Sequence, residues 1–182
     1  MSKKTIGIVV GSLRKGSFNK SIANYVSSIL PEGYEAKFID LNGVDIFNED
    51  LEGNPPESWT RLREEVKSSD AYLFFTPEYN RSVPAALKNA LDVASRPYGQ
   101  SVWSGKPAGI VSVSMGGISG FGANHHLRQT LTFLDVYPLQ QPEAYIGNVM
   151  GLLDENGNLV NEGTQNFLKT YVAAFANWVE KF

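Results

Sequence analysis

T-I-G-I-V-V-G-S-L-R-K-G-S-F-N, residues 5–19, is the stretch that decides the fold. Thr5 to Val10 is a short β-branched run that meets Gly11, the pattern of a buried strand. After a polar turn, Phe18 to Leu30 places Ile22, Ala23, Val26, Ile29 and Leu30 at helical spacing, and Pro31 stops the helix. A strand that turns directly into a helix is the opening of a β-α-β unit.

The same alternation continues along the chain. Ala36 to Leu41 reads as a second strand, and Leu41 to Asn54 as a polar loop. Asn54-Pro55-Pro56-Glu57 resembles a helix start, with Asn54 as the cap and the prolines in the first turn of a helix reaching about Ser69. Ala71 to Thr76 is the most apolar strand and is broken at Pro77; Pro84 opens a helix carrying Leu87, Ala90, Leu91 and Ala94. Ala108 to Ser114 is a fourth strand, Asn124 to Leu134 a helix, and Tyr137 to Tyr145 contains a fifth strand. Asn156-Gly157 marks a tight turn. In the last helix Phe167, Tyr171, Phe175, Trp178 and Phe182 form one apolar row, with Leu168, Val172 and Val179 beside it. This alternation predicts an α/β three-layer sandwich: a five-stranded parallel sheet of order 2-1-3-4-5 with helices on both faces, occupying residues 1–182 as one domain. Ligands of such sheets bind beyond the C-terminal strand ends, at the switch point between strands 1 and 3.

Composition narrows the chemistry. The chain has 182 residues, 16 basic and 19 acidic, for a net charge of -3, with no long run of like charge, which argues against a nucleic-acid surface. Cysteine is absent, so thiol nucleophiles, redox pairs and iron–sulfur ligation are excluded. The only histidines, His125 and His126, are adjacent, so on a helix they point about 100° apart and cannot share a metal. No metal site is expected; either histidine suits a pocket mouth or an interface. Met1 to Lys4 lacks the apolar core of a signal peptide, and no stretch reaches the roughly 18 apolar residues of a membrane span. The expected location is cytoplasmic.

The topology directs attention to three loops. In Gly11 to Asn19, Ser12, Ser17, Asn19 and Arg14 join the free amides of a helix N-terminus, a set suited to a terminal phosphate; a Ser/Gly turn that only caps the helix is the other reading. Its spacing matches neither GxGxxG nor GxxxxGK[ST]. In Thr76 to Pro84, two prolines bracket Glu78, Tyr79, Asn80 and Arg81, giving either a stiff edge for a flat ring or a simple turn. Glu78 has the carboxylate a general base would need, but nothing in the sequence marks it for that role. Ser114 to Ala123 includes Met115, Gly116, Gly117, Gly120 and Gly122, which suits close approach to a planar ligand or a flexible surface loop.

Taken together, G-S-L-R-K-G-S-F-N (11–19), P-E-Y-N (77–80) and S-V-P-A-A-L-K-N-A-L-D (82–92) resemble the NADPH-dependent FMN reductase family. Ser95-Arg96, S-G-K-P (104–107), H-L-R-Q (126–129) and Pro142-Glu143 resemble its quinone and chromate reductase branch. The resemblance implies a flavodoxin-like fold that holds FMN non-covalently. It places Ser12, Arg14, Ser17, Phe18 and Asn19 around the FMN phosphate, Pro77, Glu78, Tyr79 and Asn80 along the isoalloxazine, and Ser114, Met115, Gly116 and Gly117 on its other side. It further implies homodimers, often paired into tetramers, with Arg96 and Glu143 near a subunit boundary. Two positions depart from similar sequences, which often have tyrosine where this chain has His125 and arginine where it has Gly122.

What the resemblance implies about activity is hydride transfer from NAD(P)H to bound FMN, then reduction of a quinone or of an azo dye, nitroaromatic, chromate or free flavin. No side chain is required as acid, base or nucleophile. The five units use the whole chain, so NAD(P)H and the acceptor are expected to take turns in one cleft. The alternative is a flavodoxin-type electron carrier without NAD(P)H turnover, against which the modest negative charge argues. A flavin-free interaction module on the same fold is disfavoured by the intact loops.

Overall fold

The computed structural model describes residues 3–182, so Met1 and Ser2 of the N-terminal stretch lie outside it. Its central strands are β1 (Lys4–Val10), β3 (Ala71–Thr76) and β4 (Pro107–Val113), flanked by β2 (Tyr34–Ile39) and, on the other edge, by β5 (Tyr137–Pro138) and β6 (Ala144–Ile146). All pairs are parallel, and the order is β2-β1-β3-β4-β5, with β6 also on β4. The chain adopts the doubly wound, flavodoxin-like α/β fold that its alternation predicts.

Side chains alternate cleanly across the sheet. Ile6, Ile8, Ala71, Leu73, Phe75, Val111 and Val113 face α1 (Phe18–Ser28) and α5 (Glu162–Val179). Val9, Tyr72, Phe74, Ala108 and Ile110 face α2 (Glu57–Lys67), α3 (Ala85–Ala94) and α4 (Phe121–Phe133). Every residue of β3 is buried, which is why it reads as an unbroken apolar run.

Several boundaries differ from the sequence expectation, each for a local reason. The fifth strand is two short pieces, because Pro138 and Pro142 have no N–H to give to the ladder between them. Asn54 does not cap α2: each proline pushes the residue before it out of the helical region, and the helix begins only at Glu57, with Pro56 in the cap position. The loop from Leu41 to Asn54 includes a single 3-10 turn, Glu49–Leu51, and Arg96 meets the carboxylates of Glu49 at 3.0 Å and of Glu52, just after the turn, at 2.5 Å. The fourth helix starts at Phe121 rather than Asn124, with Gly120 at φ 70° as its cap. In α5 the buried stripe is Leu168, Tyr171, Val172, Phe175 and Val179; Trp178 is only half-buried and Phe182 lies beyond the helix, exposed.

Gly109 shows how tightly β4 meets α5. A Cβ there would stand 2.6 Å from the Tyr171 hydroxyl and 2.7 Å from Leu73 Cδ2, and that hydroxyl is committed to the Ile110 carbonyl at 3.1 Å. Gly109→Ala is therefore expected to destabilise the fold by about 1–3 kcal/mol through overpacking, read by urea denaturation; an unchanged midpoint would contradict this packing.

Candidate functional site

Because β1, β3 and β4 are parallel neighbours, the loops that follow them emerge side by side at one edge of the sheet. The first loop leaves β1 at Gly11, whose amide donates to the Phe75 carbonyl at 2.8 Å. Among the described residues, none of the backbone amides from Ser12 to Asn19 donates a hydrogen bond within the chain. Ser17 caps α1, its Oγ accepting from the Lys20 amide at 3.2 Å, which leaves its own hydroxyl proton free. Arg14 lies exposed, its guanidinium donating to the Gly16 carbonyl at 2.5 Å and resting 4.8 Å from the Phe18 ring centre. Asn19 is buried; its Nδ2 donates to the Val113 carbonyl at 3.4 Å, but its Oδ1 has no partner. A buried acceptor left open in this way calls for a donor such as a hydroxyl.

In the second loop, Tyr79 and Ser82 exchange backbone hydrogen bonds of 3.0 Å in both directions. Asn80 and Arg81 between them have φ of 50° and 64°, so the tip is a type I′ turn. Asparagine tolerates this conformation; arginine does so at a cost, so the surroundings must hold it. Glu78 supplies the hold. One carboxylate oxygen accepts from Arg81 at 2.9 Å, and the other accepts from the Ala123 amide at 3.1 Å, at the N-terminus of α4. Glu78 thus caps a helix whose own cap residue, Gly120, has no side chain to do so. That role, and not general-base chemistry, is what this geometry assigns to it.

The third loop is ordered by its own hydroxyls. Ser112 Oγ donates to the Ser119 carbonyl at 2.7 Å, the Gly116 amide donates to Ser114 Oγ at 3.1 Å, and the Ser114 amide reaches the Ile146 carbonyl at 2.9 Å. A Cβ at Gly117 would meet nothing within 4 Å, and one at Gly116 only Ser114 Oγ at 3.8 Å, so both leave open space above β4. Gly122 is different: a Cβ there would lie 2.9 Å from the capping Glu78 oxygen and 3.0 Å from the Arg81 carbonyl. Met115, Ile118 and Phe121 stand exposed along the rim.

The structure therefore brings the three predicted loops to one surface, with Ser12, Arg14, Ser17, Phe18 and Asn19 on one flank, Pro77 to Asn80 in the middle and Ser114 to Gly117 beyond. Sequence reasoning missed two neighbouring clefts. One, of about 470 Å³, lies between the first loop and the end of β2 and includes Lys15, Lys20, Phe38 and Asp40. The other, of about 530 Å³, lies beside Tyr79 and includes Lys88 and His126, whose Nδ1 is 2.9 Å from Ser82 Oγ. His125 turns the other way, to the Tyr145 hydroxyl at 3.0 Å; burial, and then Glu143, push that hydroxyl's pKa up to about 12. Each cleft joins part of a motif loop to elements far apart in the chain, so neither is legible as a unit in the sequence.

This surface can be set beside known proteins. The NADPH-dependent FMN reductase family matches residues 4–151. The chain belongs to this family. A quinone reductase of Pseudomonas putida is 53% identical over 97% of this chain and 95% of its own length. A 2-hydroxy-1,4-benzoquinone reductase of a Burkholderia species is 43% identical over 96% of this chain and 95% of its own. Among solved structures, the flavoenzyme NAD(P)H:(acceptor) oxidoreductase FerB of Paracoccus denitrificans superposes with a TM-score of 0.91 at 38% identity, covering 98% of both chains. The family's matched region includes all three loops. No helix among the described residues is long and apolar enough to cross a membrane, and no group of acidic, histidine or cysteine side chains among them is arranged to hold a metal ion.

Glu78 ties the second loop to α4, so its removal is felt at both. Glu78→Ala is expected to cost about 0.5–2 kcal/mol, as the loss of a helix cap does, and Glu78→Gln less because it keeps an acceptor oxygen. Urea denaturation and hydrogen exchange at the Ala123 amide read the effect; native-like exchange there in Glu78→Ala would show that the cap is idle.

Proposed function

We propose that this chain is an FMN-dependent NAD(P)H oxidoreductase that reduces quinones and similar acceptors, and that it acts in the cytoplasm as a homodimer or a pair of dimers, residues 1–182 forming one domain. The observation that carries the reading is the junction of three features at one sheet edge. These are a run of free amides at a helix N-terminus, an open buried oxygen on Asn19, and the unfilled space over Gly116 and Gly117. The donor set fits FMN at each end. Amides 12–19, Ser12, Ser17 and Arg14 suit its phosphate. Asn19 Oδ1 suits a hydroxyl of its ribityl chain, a finer role than the phosphate contact expected from resemblance. The amides of Asn80 and Gly117, which donate to nothing within the chain among the described residues, suit the polar edge of its ring.

When bound, FMN supplies the hydride-accepting and electron-donating chemistry, which no side chain of a cysteine-free chain can provide. The chain's own part is to bind and orient. The Asn80-Arg81 turn and the Glu78 cap fix the middle loop, and the Ser112–Ser119 and Ser114–Gly116 bonds fix the outer one. Amides held in this way are preorganised donors for negative charge developing at a ring edge. The exposed rim of Met115, Ile118 and Phe121 gives an aromatic acceptor an apolar approach.

Purified protein mixed with FMN should retain it as a yellow complex that bleaches on anaerobic addition of NADPH and recolours with a quinone. A protein that takes up no FMN sinks the proposal, and one that binds FMN but is not bleached without a partner protein favours the electron carrier. Arg14→Ala should weaken FMN binding by about 1.5–3 kcal/mol, or roughly 10- to 150-fold in Kd, by loss of a charge-assisted phosphate contact. Fluorescence titration measures it, and an unchanged Kd would move the phosphate away from Arg14.

A further inference from the structure

The cleft of about 470 Å³ beside the first loop carries more positive charge than one phosphate needs. Arg14, Lys15 and Lys20 all line it, and among the described residues none of the three has a carboxylate within salt-bridge distance. Such concentration is notable in a chain of net charge -3. The cleft's one acid is Asp40, whose Oδ1 is already engaged by the Asn42 amide at 2.9 Å and the Asn42 side chain at 2.7 Å. These bonds hold its carboxyl below the usual carboxylate range, so it stays charged but leaves the cations in excess. Lys20 is not a freely solvated lysine: its Nζ stands 3.4 Å from the Phe38 ring centre, and burial lowers its pKa. A dianion entering here would gain two ammonium partners that no carboxylate holds.

The cleft shares Ser12, Leu13 and Arg14 with the amide cradle but extends past it to the end of β2, where Lys20 lies. The cleft is floored by the end of β2, which pairs with β1 on the side away from β3 and β4. The second and third loops, where a flavin ring would lie, are therefore across the first loop from it. Strands are spaced by about 4.8 Å, so the cleft sits roughly two strand widths from β3. A dinucleotide with its nicotinamide over those loops has its adenosine end free to cross the first loop and reach β2. That end bears a 2′-phosphate in NADPH and a hydroxyl in NADH.

We propose that Lys15 and Lys20, at the β2 side of the first loop, form a phosphomonoester subsite that takes the 2′-phosphate of NADPH and so makes the protein prefer NADPH to NADH. The proposal rests on the oxidoreductase reading above and adds to it the nucleotide preference and the residues that set it. The same phosphomonoester chemistry is present in FMN's own phosphate, so the test must tell the two sources apart.

Isothermal titration of the FMN-loaded protein with 2′,5′-ADP and with 5′-ADP isolates the 2′-phosphate. The unaltered protein should bind 2′,5′-ADP about tenfold or more tightly than 5′-ADP, and Lys15→Gln/Lys20→Gln should abolish the difference while Lys15→Arg/Lys20→Arg keeps it. In steady-state kinetics the glutamine pair should lower kcat/KM about tenfold for NADPH, mostly through KM, and leave NADH within twofold. Equal binding of the two nucleotides by the unaltered protein overturns the proposal, and that comparison needs no variant to fold. A glutamine pair that sheds FMN but still discriminates between the nucleotides also overturns it, assigning the lysines to the flavin phosphate. If the oxidoreductase reading fails, the sign is different: no FMN uptake or no NADPH oxidation, with the nucleotide titration still readable on its own.

Discussion

Burial of parallel strands on both faces is the constraint from which the rest of this structure follows. β1, β3 and β4 are covered by α1 and α5 on one side and by α2, α3 and α4 on the other. Parallel pairing needs a crossover between every two strands, so all strands end at the same edge. The backbone leaving that edge cannot enter either core, since its amides would lose water without gaining partners. Three adjacent loops are the result, and they present unpaired donors before any side chain is considered.

A surface of loops is useful only if it is stiff, and here stiffness comes from bonds between loops. Arg81 sits at a positive φ that a bulky residue avoids, and the reciprocal Tyr79–Ser82 pair and the Glu78 carboxylate keep it there. Through its second oxygen Glu78 also caps α4, so the turn after β3 and the helix after β4 are fixed together. Gly122 allows that approach, because a Cβ at this position would collide with the capping oxygen. An arginine at this position would need a different arrangement of Glu78. The glycine at 122 and the carboxylate at 78 are thus one feature.

The chemistry fits a protein that lends geometry and charge to a cofactor. Polar groups at the sheet edge are mainly backbone amides, with hydroxyls spent on ordering the loops. Charge is placed off to the sides: Arg14, Lys15 and Lys20 toward β2, Lys88 and His126 beside Tyr79. The centre stays open and weakly charged, as a flat, redox-active ring requires. Arg96, which resemblance associates with a subunit boundary, is here anchored to Glu49 and Glu52 and pins the loop before α2.

The sequence by itself determined the strand–helix alternation, the two-sided core and the three loops, because these rest on local periodicity and short motifs. Ile6, Ile8 and Val10 alternate with Val9 whatever lies elsewhere in the chain, and Gly11 to Asn19 is contiguous. It erred where a local signal competed with a neighbour's demand: Asn54 has the chemistry of a cap but is followed by two prolines, so the helix begins only at Glu57, and Tyr137 to Tyr145 has strand character that its prolines interrupt. Tertiary structure alone decided the role of Glu78, since the amide it caps is 45 residues away. It alone exposed the open oxygen of Asn19, which is defined by an absence of partners, and the lysine cleft, which needs β2 beside the first loop. Periodicity records how a residue relates to its own element; a cap across loops, an orphaned acceptor and a pocket of unpaired charge depend on which elements the fold sets side by side.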